Sequence, residues 1–109
     1  MEKTSHDSAD TMRENLLKTA ARQLENLLTL TQIPRKASYA PGEVCRILGI
    51  SSTTLWRKTE KFDLDPNTRR PMYPDALDSY KVGIHKRVAY AELVSYLARN
   101  RTYTRNLSE

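Results

Sequence analysis

Cysteine occurs once, at Cys45, which excludes an intrachain disulfide and points to a reducing, cytoplasmic setting. Glycine occurs only three times, and no glycine-rich loop of the kind that cradles phosphate is present. The two histidines, His6 and His85, stand at no ligand spacing from each other or from Cys45, so no metal site and no cofactor are expected. No apolar run reaches the ~18 residues of a membrane span, and no charged segment leads into an apolar one as in a signal peptide. A membrane partner is therefore not expected. Internal repeats and low-complexity tracts are also missing. No nucleophile is spaced against a base in a way that suggests catalysis, so the chain is not expected to be an enzyme.

What is present is ordinary for a small folded protein. The chain has 109 residues, with 39% hydrophobic and 28% charged, enough for one domain and an added element. The net charge is +5, and it is unevenly placed: residues 1–34 carry −1 and residues 35–109 carry +6. A cationic excess on a small domain favours a polyanionic partner, and here it lies outside the N-terminal third.

From Asp10 to about Gln32 the pattern is helical. Met12, Leu16, Ala20, Gln23, Leu27 and Leu30 fall on one stripe, widened by Leu17, Leu24 and Leu28. Such a helix needs cover for its leucines. It either packs on its own domain or pairs with the same helix of a second chain. Residues 1–9 are polar and expected to fray.

Pro34 and Pro41 bracket a short basic linker. Pro41 suits the first turn of a helix over about 41–48, with Glu43 near its positive end and Ala40 a poor cap. Gly49 ends that helix, and Ser51 can cap the next, over about 52–60. Two short helices about a glycine turn make a helix-turn-helix. Residues 61–80 read as a loop, with a helical turn allowed at Pro74–Leu77. Two short strands about Gly83 follow, Arg87–Ala89 forming the second, and then a helix with Tyr90, Leu93, Val94 and Leu97 on one face.

With Leu55 turned inward, Thr53, Thr54, Trp56, Arg57 and Glu60 point away from the core. Hydroxyls and arginine can meet phosphates or base edges, and threonine methyls can touch thymine. A helix N-terminus also attracts phosphate. Trp56 reads equally as core or contact, and Arg57 and Lys58 as contacts or as solvated charge. A second basic element, Lys81, His85, Lys86 and Arg87 about Gly83, suits a wing over the DNA backbone or minor groove.

"APGEVCRILGISSTTLWRKTEK" and "GIHKRVAYAELVSYL" together resemble the MerR-like and excisionase-like DNA-binding families. The likeness rests on Glu43-Val44, Leu48-Gly49-Ile50-Ser51, Thr54-Leu55-Trp56-Arg57, Gly83, His85-Lys86-Arg87 and Glu92-Leu93, within about residues 40–98. It departs from those families at Lys58-Thr59, where they carry an aromatic and an aliphatic residue, and in its long connection to the wing. The resemblance implies that Ser52, Thr53, Trp56 and Arg57 face DNA and that His85, Lys86 and Arg87 form the wing. It also implies a small regulator or excisionase-like factor rather than a metal or drug sensor.

The expected architecture is mainly α: a winged helix-turn-helix with a small β-hairpin wing and an added N-terminal amphipathic helix. Residues 1–34 would serve packing or dimerisation, 35–100 DNA binding, and 101–109 a flexible tail. Val44, Ile47, Leu48, Ile50, Leu55, Leu93, Val94 and Leu97 are the expected core. The candidate DNA contacts are Ser51, Ser52, Thr53, Thr54, Trp56, Arg57, Lys58, Lys81, His85, Lys86 and Arg87. The expected partner is double-stranded DNA, bound by a homodimer or a cooperative oligomer. The alternative is a protein–protein adaptor that docks through the leucine-rich N-terminal helix.

Overall fold

A computed structural model describes the backbone of residues 3–108 and the side chains of residues 11–100. It contains four helices and a three-stranded antiparallel sheet. Helix α1 spans Lys3–Thr31, so it begins well before the expected Asp10. Its buried line is Ala20, Leu24 and Leu28, at steps of four. All three belong to the expected leucine face, Ala20 on its central stripe and Leu24 and Leu28 on its widening; Leu16, Gln23 and Leu27 are half-buried beside them, whereas Met12 and Leu30 at the ends of the stripe are exposed. The buried face packs on α4, Tyr90–Ser108, within the same chain. Tyr90 Oη donates to Glu25 Oε2 at 2.5 Å across that interface. Helix α4 runs on through residues 101–108 of the segment expected to be a flexible tail.

Helix α1 stops at Gln32, whose φ of 59° turns the chain out of the helix. Ile33 N donates to Leu28 O and Gln32 N to Thr29 O, which satisfies two otherwise orphaned carbonyls. Strand β1, Ser38–Tyr39, follows; at two residues it is too short for any periodicity to announce it. Helix α2 then spans Pro41–Leu48. Ala40 offers no side-chain cap, but its N–H donates to Glu43 Oε1 at 3.0 Å.

Gly49, at φ 68°, and Ile50 form the corner, with Ile50 N donating to Cys45 O. Helix α3, Ser52–Lys61, starts from a capped end, because Ser51 Oγ accepts from Thr54 N at 3.1 Å. The 62–79 excursion is largely irregular, as expected, but it is pinned. Leu64 bridges to Pro71, Asp65 Oδ1 accepts from the backbone of Asn67 and Thr68, and Leu77 N donates to Lys58 O. Leu77 is fully buried.

Strands β2, Tyr80–Val82, and β3, His85–Ala89, form a hairpin, and β3 lies between β2 and β1. Ser38 pairs with Ala89 and Tyr39 with Val88. The core is Leu24, Leu28, Ile33, Tyr39, Val44, Ile47, Leu55, Leu77, Val88 and Leu93. Of the expected core residues, Val44, Ile47, Leu55 and Leu93 are inside; Leu48, Ile50, Val94 and Leu97 pack at its margin. No helix among the described residues is long and apolar enough to cross a membrane.

Candidate nucleic-acid interface

Leu55 anchors α3 in the core, which sends Ser52, Thr53, Trp56 and Arg57 outward, all of them exposed. Ser52 and Trp56 form one row along the helix and Thr53 and Arg57 the adjacent row, each pair four residues apart. The hairpin stands beside the first row. Ser52, Trp56, Lys81, Ile84, His85 and Arg87 line one open groove of about 510 Å³, with Ala40 and Pro41 of the α2 entrance also in its wall. Helix α3 and the hairpin therefore face a common space.

Lys86 holds the two together. Its Nζ donates to Thr59 Oγ1 at 2.9 Å, lies 3.6 Å from Glu60 Oε2, and sits 4.1 Å from the centre of the Trp56 ring. The ammonium is thus positioned by the ring face and partly balanced by a carboxylate. Trp56 is thus not a core residue: the indole is exposed, and one face of it is covered by a cation.

Arg87 is likewise occupied. Its guanidinium donates to Ser38 Oγ at 2.7 Å and to Ser38 O at 3.0 Å, tying β3 to β1. Glu43 lies near it. The hydrogen bond from Lys36, at 2.5 Å, and that from the Ala40 N–H hold the Glu43 carboxyl below its ordinary range, with smaller help from the charge of Arg87.

Lys81 differs from both. It stands directly opposite Lys86 across the hairpin, a like-charge pairing that is unfavourable in a sheet. It is exposed and has no hydrogen bond or ion pair to any described residue. Arg57 is also exposed without such a partner. These are the two cations with unmatched charge on this surface. An anion seated by Lys81 would relieve the repulsion from Lys86.

Three expected contacts are placed elsewhere. Ser51 spends its hydroxyl on the α3 cap and on Thr54 Oγ1, so both hydroxyls are engaged with each other. Lys58 turns away from the groove; its Nζ donates to Asp75 O at 3.1 Å and lies over the Tyr96 ring. The reason is its position on α3: Lys58 faces the pinned 62–79 excursion and α4, and Lys61 reaches Asp75 there too. The sequence reading overlooked Ile84, Pro41 and Thr59 in the groove wall. Ile84 had a signal, an aliphatic residue beside a turn glycine; the other two depend on how α2 and the hairpin dock.

Among the described residues no group of three or more metal-capable side chains converges. Compared with protein families, with curated proteins and with solved structures, the chain matches none.

Proposed function

We propose that the protein binds double-stranded DNA sequence-specifically through a winged helix-turn-helix, as a small transcriptional regulator or an excisionase-like architectural factor. Helix α3 enters the major groove, where Arg57, Thr53 and Ser52 meet base edges, and the β2–β3 hairpin serves as the wing on the adjacent backbone or minor groove. The observation that carries this reading is the groove shared by α3 and the hairpin, lined by Ser52 and Trp56 on one side and by Lys81, which has no counter-charge among the described residues, on the other; Arg57, likewise without one, is exposed on the next row of α3. The net +6 of residues 35–109 supports a polyanionic partner. Lys86 and Arg87 act here as struts that set the angle of the wing, rather than as primary phosphate contacts.

One short helix and one ribbon make a small interface, so tight binding needs two or more copies on paired or tandem sites. The test is selection of duplexes from a random pool at physiological salt, followed by footprinting and a hydrodynamic mass of the complex. Enrichment of a short motif, protected as repeated half-sites, is expected. Failure to retain any duplex would overturn the reading. The competing adaptor role has the exposed Met12 and Leu30 in its favour, but the leucines best suited to it, Leu24 and Leu28, are covered by the chain itself.

A further inference from the structure

The turn joining β2 to β3 is two residues long, because Val82 pairs with His85. Gly83 occupies its first central position at φ 66°, and Ile84, at the second, does not share that left-handed backbone. This is the pattern of a II′ turn, whose second place is well served by Ser, Asn or Asp. Ile84 is 88% exposed and Val82 57% exposed. Neither packs into the core, and a branched aliphatic tip is a poor choice for hydration. The tip therefore holds apolar surface that the fold does not use, beside the unmatched charge of Lys81.

We propose that Ile84, backed by Val82, is a wedge that enters the minor groove beside the site read by α3, partly unstacks one base step and bends the duplex. This rests on the DNA-binding reading of the same surface. A minor groove offers the matching chemistry: phosphates along both walls for Lys81, and stacked bases between them for an aliphatic side chain. The groove is only about 6 Å wide, whereas two paired strands already stand about 4.8 Å apart, backbone to backbone. A side chain at the tip can enter where the ribbon cannot, and Ile84 is that side chain. A second copy of this chain docked face to face is a worse occupant, because it would bring the same cationic surface against Lys81.

The experiment uses the full chain and a selected duplex of about three helical turns. The duplex carries 2-aminopurine at successive steps on the wing side and a donor–acceptor dye pair at its ends. The parent protein is expected to raise 2-aminopurine fluorescence at one step and to bend the duplex by about 20–90°. Ile84→Ser suits the turn, and its thermal unfolding serves as the check on folding. It should keep the footprint of α3 while losing both the fluorescence rise and the bend, and Ile84→Met should keep both. A parent complex that protects its site without bending it would overturn the wedge and leave DNA reading intact, as would an Ile84→Ser complex bent like the parent. A changed self-association of Ile84→Ser with an unchanged bend would assign the tip to a protein contact and overturn the proposal as well. If the parent binds no selected duplex, the DNA reading fails first and the wedge with it.

Discussion

Lys81 and Lys86 face each other across one hairpin, yet their surroundings give them different tasks. Lys86 is spoken for by Thr59, Glu60 and Trp56, whereas Lys81 is unpaired among the described residues. Lys81→Ala should therefore weaken binding to all duplexes alike and lower the salt slope by about one, as read from titrations at several salt concentrations. Arg57→Ala should mainly erode discrimination, by about 1–3 kcal/mol against the wrong base, measured as a ratio of specific to non-specific affinity. Glu43 supplies a prediction in pH. Its carboxyl is held below the ordinary 4.5 by Lys36 and the Ala40 N–H, so its stabilising contribution is present above 4.5 and is lost as pH falls through the depressed value. Glu43→Gln should lower urea stability at about pH 7, and its deficit against the parent should shrink as pH falls through the depressed value. The composition and spacing of residues 51–57 suffice to orient Thr53 and Arg57 outward. They say nothing of Lys58 or Lys86, because those cations are claimed by residues 17 and 27 positions away, Asp75 and Thr59.

The helix ends follow from local chemistry, which is why α2 and α3 could be bounded from sequence to within a residue. Pro41, Gly49 and Ser51 each act on the backbone within four positions of themselves. Strand β1 and the role of Leu77 were not readable in this way, since each is defined by a partner far along the chain. The two left-handed helix stops predict opposite outcomes. Gly49 has open space where a Cβ would stand, so Gly49→Ala incurs only the backbone penalty, about 1–2 kcal/mol of lost stability. Gln32 already carries that penalty at φ 59°, and Gln32→Gly should raise stability by about 0.5–1 kcal/mol. Chemical denaturation of the two variants beside the parent checks both signs. Ser51→Ala removes the α3 cap and should cost about 1 kcal/mol.

Over the molecule as a whole, α1 and α4 form a brace behind the groove rather than part of it. Leu24 and Leu28 reach the common core from α1, so Leu24→Ala should cost about 2–5 kcal/mol, a large share of the stability of a small domain. Thermal or urea unfolding measures this loss.

The strand pairing that joins Ser38 to Ala89 also makes this chain divisible. Arg69 lies exposed in the 62–79 excursion, so an arginine-specific protease has a foothold there. Severing the chain after Arg69 would leave α1, β1, α2 and α3 on one piece and β2, β3 and α4 on the other. The first piece carries seven of the ten core residues and the second three, so neither has a whole interior, but α1 against α4, β1 against β3, and the clasp of Arg87 on Ser38 all cross the cut. The two fragments should elute together from a sizing column and part only in denaturant. Expressed separately, they would form a complementing pair whose reunion rebuilds the groove.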